Sequence, residues 1–190
     1  MANQLGEYIT HIPAGETPLS SDVFLIRGES RWYLFDVGRN QESLDAILAL
    51  DGEKTVILSH LHRDHMANLE KIPYDTLYVG DLTAERLHIG AAVTAPMEIR
   101  DGVHLEIRPC PSPHSGGSLI LTVNGEYTLL GDLCYTRPSA DPAVVDAMLA
   151  ALSQVSTRWF VLSHGAGECA VEKEAFLAYW RQAFEEYLEK

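Results

Sequence analysis

Hydrophobic and polar residues follow two different periods along this chain, and the two periods predict strands that alternate with helices. Short runs rich in β-branched and aromatic residues, bounded by turn residues, are typical of strands. Six such runs predict strands at 7–12, 22–27, 31–36, 55–59, 76–80 and 158–163. The run at 55–59 is continuously apolar, which favours a strand buried on both faces.

Two further pairs of runs are separated by dipeptides that favour tight hairpin turns. The pairs are 97–100 with 103–108 around Asp101-Gly102, and 118–123 with 126–130 around Asn124-Gly125. Each pair is therefore predicted to form an antiparallel hairpin.

Apolar residues at helical spacing predict four helices. These are 41–50, 83–89, a segment that opens at Asp141-Pro142, and 170–188. Asn40 and Asp141 are predicted N-caps, because their short polar side chains can accept hydrogen bonds from the first free N–H groups. Alternating strands and helices predict an α/β layered structure with mixed sheets, and we expect one domain over residues 1–190.

The charge of the chain narrows the classes of partner. Its 190 residues carry 14 basic and 27 acidic side chains, a formal charge of −13. This balance argues against nucleic acid or an anionic membrane as a partner and leaves a small-molecule substrate as the expectation. No apolar run approaches the ~20 residues needed to span a bilayer, and the N-terminus lacks a secretory pattern, so we expect a cytoplasmic protein. The oligomeric state stays open.

The most informative segment is His60-Leu61-His62-Arg63-Asp64-His65, which follows the predicted strand at 55–59. In extended backbone His60 and His62 point to the same side, and Asp64 and His65 follow as the chain turns. Three imidazoles and one carboxylate are thereby predicted to lie within a few ångströms of one another. Such a cluster suits zinc, iron or manganese.

Three later residues can join this cluster because each lies at or near the end of a strand. His114 lies in the proline-rich loop 109–117, Asp132 follows the strand ending near 130, and His164 follows the strand at 158–163. Sites in α/β proteins gather at such strand ends. The three cysteines form no CxxC pair, which makes a thiolate zinc site or a disulfide framework unexpected.

This set of residues resembles the metallo-β-lactamase-fold hydrolase family, and the likeness covers nearly the whole chain. The resemblance implies a four-layer αββα sandwich with two metal ions at one edge. It implies these positions: His60, His62 and His114 for the first ion, Asp64, His65 and His164 for the second, and Asp132 bridging both. Asp36, in Leu34-Phe35-Asp36-Val37-Gly38, matches the family's early aspartate–glycine turn and is expected to support the ligands from behind.

The function that follows is a dinuclear metal-dependent hydrolase. Two divalent ions, Zn²⁺ first and iron or manganese as alternatives, lower the pKa of a bridging water, and the resulting hydroxide attacks an ester, thioester or lactone carbonyl. Asp64 is the candidate to orient the hydroxide or carry a proton. The bridging aspartate resembles the glyoxalase II and lactonase branch. Tyr135 and Arg137 are candidate contacts for a substrate oxyanion or carboxylate.

Two other hypotheses stay open. One is a mononuclear-iron oxidoreductase similar to persulfide dioxygenases, with His60, His114 and Asp132 as the main ligands. The other is a non-catalytic module that binds metal without hydrolysing anything. His11, His88 and His104 match no ligand position and are expected to be structural or exposed.

Overall fold

The computed structural model describes residues 2–134, 141–164 and 169–188. In chain order the described elements are β1 (Asn3–Leu5), β2 (Ile9–Ile12), β3 (Gly15–Glu16), β4 (Leu19–Ser20), β5 (Val23–Arg27), β6 (Trp32–Phe35), α1 (Gln41–Leu48), β7 (Lys54–Ile57), α2 (Arg63–Met66), a 3₁₀ turn (Leu69–Lys71), β8 (Thr76–Gly80), α3 (Asp81–Leu87), β9 (Ala91–Val93), β10 (Met97–Arg100), β11 (His104–Cys110), β12 (Ser118–Val123), β13 (Tyr127–Leu129), α4 (Pro142–Ser153), β14 (Trp159–Val161), β15 (Ala170–Glu172) and α5 (Lys173–Leu188).

Two mixed sheets organise the part of the chain that the structure describes. The first has seven strands in the order β1-β2-β5-β6-β7-β8-β9, and the second has six in the order β10-β11-β12-β13-β14-β15. Strands β6 to β9 run parallel, as do β13 and β14, and the other pairs are antiparallel. Strands β3 and β4 form a separate small hairpin.

Three apolar clusters show how the layers pack. The cluster between the two sheets joins residues such as Phe35 and Leu121. A second cluster packs Ile47 of α1 against the outer face of the first sheet. A third packs Met148 of α4 and Phe176 of α5 against the outer face of the second sheet. Helices therefore cover both outer faces, and the predicted four-layer αββα sandwich is confirmed.

Local signals placed most elements close to where they lie. The Asn40 side chain accepts a hydrogen bond from the Ser43 N–H, and Asp141 does the same for Ala143, so both predicted N-caps are confirmed. The prediction of one helix over 170–188 was wrong at its start. Residues Ala170–Glu172 form β15, because they pair with β14 across the sheet edge.

The three cysteines of the chain are all buried and form no disulfide. No helix in the described ranges combines the length and the apolar character that crossing a bilayer requires.

Candidate metal centre

All seven predicted ligand residues converge at one edge of the sandwich. They form two groups in which the candidate ligand atoms lie within 4.8 Å of one another. The first group is His60, His62 and His114, and the second is Asp64, His65, Asp132 and His164. The structure thus brings together side chains from position 60 to position 164, while their role as ligands stays a prediction.

The histidine motif reaches this edge by a different backbone path from the one predicted. Strand β7 ends at Ile57, so His60 and His62 lie in a loop rather than in an extended strand. His62 is the N-cap residue of α2, and the His65 N–H bonds to the His62 carbonyl oxygen at 3.1 Å. The tight turn brings the His60 and His62 rings to 4.6 Å between centroids and folds His65 back to 4.2 Å from His60.

Asp132 lies between the two groups and presents one oxygen to each. Its Oδ1 lies 3.2 Å from His65 Nε2 and 3.7 Å from His164 Nε2. Its Oδ2 lies 3.5 Å from His114 Nε2 in the other group. This placement is what a carboxylate shared by two cations requires.

Asp64 and His164 close the second group on its solvent side. Asp64 Oδ2 lies 3.1 Å from His164 Nε2 and 3.7 Å from His65 Nε2. Burial alone would raise the pKa of Asp64, but the hydrogen bond with His164 and the nearby His65 hold it well below its usual range. The same hydrogen bond raises the pKa of His164.

A hydrogen-bonded pair, Asp36 and Ser59, fixes two of the imidazoles from below. Asp36 Oδ1 accepts the Ser59 N–H at 2.8 Å, and its Oδ2 accepts the Ser59 hydroxyl and His65 Nδ1–H, each at 2.7 Å. The Ser59 oxygen can then accept from His60 Nδ1–H at 3.0 Å. Both rings therefore turn Nε2 into the site, the orientation that carboxylate–histidine–metal arrangements use.

The backbone around this pair is tight. Asp36 has a φ of 60°, in the left-handed region, where aspartate is tolerated better than most residues. Gly131, with a φ of 57°, packs directly on Ser59, since a Cβ there would lie 2.6 Å from the Ser59 Cβ. Only glycine fits this position without moving Ser59.

The loop that carries His114 is held by its own serine. Ser112 Oγ accepts the His114 N–H and donates to the Leu133 carbonyl oxygen, both at 3.1 Å. His114 Nε2 then lies 3.0 Å from His62 Nδ1. The loop is thereby tied to the segment that carries Asp132.

The donor set fits divalent metal ions. His60 Nε2, His65 Nε2 and Asp132 Oδ1 are buried atoms that make no well-formed hydrogen bond among the described residues, although the last two lie 3.2 Å apart as an ion pair. Buried polar atoms are costly to leave unpaired, and a cation at each group would satisfy them. Imidazole and carboxylate together suit zinc, iron and manganese.

Comparison with known proteins agrees with this geometry. Residues 17–89 match the family model of the metallo-beta-lactamase superfamily. The metallo-beta-lactamase SMB-1 in complex with mercaptoacetic acid is 14% identical, with a TM-score of 0.75 over 100% of this chain and 96% of that one. The protein has the metallo-β-lactamase fold.

Other solved structures share this fold with different chemistry. A flavo di-iron protein from Thermotoga maritima has 13% identity and a TM-score of 0.69 over 97% of this chain and 62% of that one. A chemotaxis sensor called ODP, described with a peroxy diiron species, has 16% identity and a TM-score of 0.68 over 96% and 92%. No curated protein sequence matches the chain significantly. At these identities the likeness establishes the metallo-β-lactamase fold alone.

Asp22 is a site residue that the sequence reasoning missed. Its Oδ2 accepts the His164 N–H at 2.7 Å, and its own N–H donates to Ser163 Oγ at 3.2 Å. His164 has a φ of 56°, so Asp22 helps to hold a left-handed backbone at a candidate ligand. A carboxylate at the start of an apolar strand carries no signal for a contact 142 positions away.

Residues 134–137 follow Asp132 in this metallo-β-lactamase-fold chain. Tyr135 and Arg137, the candidate substrate contacts, lie outside the described residues. Cys134 turns its sulfur to Met148 Sδ at 3.9 Å, within the core beneath α4. Burial raises the pKa of Cys134, which agrees with a packing role.

Proposed function

We propose that this protein is a dinuclear metal-dependent hydrolase that cleaves an ester, thioester or lactone. The observation that carries the proposal is the pair of donor groups with Asp132 between them. Each group offers three or more donors, and Asp132 turns one oxygen toward each. Two ions that share a carboxylate form the arrangement used for metal-assisted attack of water on a carbonyl.

Each residue has a defined task in this proposal. One ion would be held by His60, His62 and His114, and the other by Asp64, His65 and His164, with Asp132 available to both. The ions, Zn²⁺ first and iron or manganese as alternatives, would supply hydroxide at neutral pH and would polarise the substrate carbonyl. Asp36 and Ser59 keep His65 and His60 in the required orientation.

Asp64 is the residue to which we assign proton movement. Its carboxylate is partly exposed at the open side of the site, unlike that of Asp132, which is buried. Its Oδ2 also bonds to His164, which keeps the carboxylate ionised and oriented. An ionised carboxylate can orient the attacking water and pass its proton onward, and the low pKa of Asp64 means that Asp64 does not keep the proton.

The choice of substrate class depends on Asp132 and on charge. Many true β-lactamases of this fold carry cysteine where Asp132 lies, whereas the glyoxalase II and lactonase branch carries aspartate. Cys134 does not replace it, because its sulfur packs on Met148. The charge of −13 disfavours nucleic acid. A small-molecule substrate, one domain and a cytoplasmic location complete the proposal.

The test combines metal content with hydrolysis. Protein purified without chelator should contain about two metal ions per chain and hydrolyse members of a panel of esters, thioesters and lactones. His62→Ala should lose this activity. His104→Ala is the matched control, because His104 lies at the opposite end of β11 from the His114 loop. Metal content near zero after reconstitution, or equal activity in both variants, contradicts the proposal.

The same measurements separate the two alternatives. A mononuclear-iron oxidoreductase held by His60, His114 and Asp132 predicts one iron per chain and sulfide-dependent oxygen uptake. A metal-binding module predicts bound metal without hydrolysis of any substrate in the panel. Two di-iron proteins share the fold of this chain, so oxygen uptake is measured together with hydrolysis.

A further inference from the structure

A second cluster of reactive side chains contains none of the candidate metal ligands and borders the metal centre through Asp22, which holds the His164 backbone. It comprises Cys169 before β15, His11 in β2 and Asp22 before β5. Cys169 Sγ lies 3.8 Å from His11 Nδ1, within hydrogen-bond range for sulfur. The other ring nitrogen, His11 Nε2, bonds to Asp22 Oδ1. A thiol, an imidazole and a carboxylate are thereby connected in series.

The imidazole of this cluster is held in one orientation. Its ring stacks on Phe24 at 5.0 Å between centroids with an interplanar angle of 15°. Asp22 Oδ1 also accepts the Ala14 N–H at 3.1 Å, which fixes the carboxylate that His11 contacts. His11 Nδ1 is therefore directed at the sulfur rather than free to rotate. Positioning of a base by a third group is the arrangement that activates cysteine nucleophiles.

The sulfur and the imidazole both line a cavity of about 390 Å³. Its other walls are Asn3, Leu5, Tyr127, Trp159 and Ala170. At about 30 Å³ per water molecule, this is room for roughly a dozen waters, and therefore for a small organic molecule. Cys169 is only 6% exposed, and its contact with solutes would be through this cavity.

The surroundings of His11 favour a protonated ring, so His11 can take the proton of the neighbouring thiol. Burial alone would lower its pKa, but the hydrogen bonds with Asp22 and Cys169 outweigh burial and raise it to about 9. An imidazolium beside a thiol stabilises the thiolate and can return a proton to a leaving group.

The other two cysteines lack this environment. Burial raises the pKa of Cys110 to about 12 and also raises that of Cys134. Both lie in the apolar cluster beneath α4, and Cys134 contacts a methionine sulfur rather than an imidazole. They serve as internal controls for thiol reactivity.

We propose that Cys169 is a peroxide-reactive thiol that small hydroperoxides reach through this cavity. The Cys169 thiol gives its proton to His11, and the thiolate sulfur then attacks one peroxide oxygen. An S–O bond forms and the O–O bond breaks, so sulfur loses two electrons and the peroxide gains them. The leaving oxygen takes the proton back and departs as water or an alcohol, leaving Cys169 as a sulfenic acid.

The chemistry of the cluster favours a hydroperoxide as the reactant. Cleavage of an O–O bond needs a nucleophilic sulfur and a proton donor for the leaving oxygen, and Cys169 and His11 supply both within 3.8 Å. The apolar walls can accommodate the carbon portion of an alkyl hydroperoxide. None of the candidate metal ligands takes part in this reaction of Cys169, so the reaction does not depend on the proposed hydrolase function.

The test measures the rate of modification of each cysteine by peptide mass spectrometry. Whole folded protein is treated with hydrogen peroxide or tert-butyl hydroperoxide in the presence of dimedone, which traps sulfenic acids. Protein unfolded in urea is treated in parallel. Cys169 should react faster when folded than when unfolded, although it is almost buried, and Cys110 and Cys134 should react more slowly when folded.

A variant separates activation from exposure. His11→Gln keeps a polar side chain near Asp22 but removes the imidazolium, and should slow Cys169 oxidation about tenfold. His104→Gln is the control and should leave the rate unchanged. If His11→Gln does not fold, as judged by circular dichroism, the folded-to-unfolded comparison in the wild-type protein decides. Slower reaction of Cys169 in the folded state, or an unchanged rate in folded His11→Gln, overturns the proposal.

Discussion

The two donor groups of the candidate metal centre differ in the charges that surround them. The first group consists of imidazoles alone. Burial and the neighbouring imidazoles lower the pKa of His60 to about 2 and also lower that of His62. In the second group burial opposes the charge on His65, but Asp36 and Asp132 raise its pKa to about 10. His60 and His62 are therefore disposed to be neutral before a cation arrives, whereas His65 holds a proton.

This difference shows how one site can offer two kinds of binding position. The neutral imidazoles of His60 and His62 can donate a lone pair to a cation at once. In the second group protons occupy positions that a cation would take, so binding there is coupled to proton release. Carboxylates produce this contrast, because Asp36, Asp64 and Asp132 all lie against the second group.

Removing the shared carboxylate should have the largest effect on both groups. Asp132→Ala takes one donor from each, so metal affinity should fall by more than about 100-fold, beyond the loss seen when a supporting residue is removed. Elemental analysis after dialysis and the hydrolysis panel measure the result. Asp146→Ala, an exposed aspartate on α4, is the control. Two retained metal ions in Asp132→Ala would show that Asp132 is not shared.

A change at Asp36 should weaken the second group more than the first, because Asp36 contacts His65 directly and reaches His60 only through Ser59. In Asp36→Asn an amide N–H₂ can replace Oδ2, which no longer accepts His65 Nδ1–H, and the ring loses the bond that directs Nε2 into the site. Metal affinity of the second group should fall about 10- to 100-fold, while the first group keeps its three imidazoles.

Competition with a chelating dye can resolve these two affinities. Asp45→Asn, on the exposed face of α1, is the matched control and should leave both unchanged. An equal loss at both groups in Asp36→Asn would contradict the assignment of Asp36 to the second group.

Crowding Ser59, which supports both groups, should lower the stability of the whole protein. Gly131→Ala combines a left-handed backbone, which costs about 1–2 kcal/mol, with a clash against Ser59 that adds about 1–3 kcal/mol. Gly125→Ala shares the positive φ but has nothing nearer than 3.8 Å, so it measures the backbone cost alone. Urea unfolding should show a larger loss of unfolding free energy for Gly131→Ala. Equal losses would mean that Ser59 moves freely.

The smallest expected effect is on the pH dependence of unfolding free energy in metal-free protein, where His60 and His65 should contribute opposite slopes. Below about pH 6.5 His60 binds a proton in the unfolded protein but not in the folded protein. Falling pH therefore favours the unfolded state, and the free energy of unfolding decreases below about pH 6.5. Folded His65 holds a proton up to about pH 10, so its contribution is complete below 6.5 and is lost as pH rises toward 10.

Urea unfolding of chelator-treated protein at pH 5, 6.5 and 9 tests these opposite slopes. His60→Gln should flatten the acid side, and His65→Gln should flatten the alkaline side. His104→Gln should leave the profile as it is. If all three variants show the same dependence of unfolding free energy on pH, His60 and His65 do not differ in protonation as described.

Local patterns predicted much of the fold. The caps at Asn40 and Asp141 and the strand at 76–80 needed only neighbouring residues to specify them. The error at 170–172 has the opposite cause. Ala170 and Val171 suit a helix as well as a strand, and only hydrogen bonding to β14 decides between them.

Some residues of the candidate site are recognisable from local sequence, and others are placed only by contacts between distant parts of the chain. The histidine motif and the aspartate–glycine turn at Asp36 are short patterns with recognisable chemistry, so sequence reasoning could select them. The apolar run at 55–59 predicts that Ser59 lies in a strand, and no local pattern marks Asp22 as part of a site. Their roles arise from contacts that cross the sandwich, such as the hydrogen bond from the His164 N–H to Asp22.

The donor residues, their position near strand ends and the alternation of strands with helices can all be read from the printed chain. The inward-facing ring nitrogens of His60 and His65, the position of Asp132 between two groups, and the opposite pKa shifts of His60 and His65 arise only when the chain is folded. Burial and charge–charge interactions depend on distances between side chains far apart in the chain, and packing of the two sheets sets those distances.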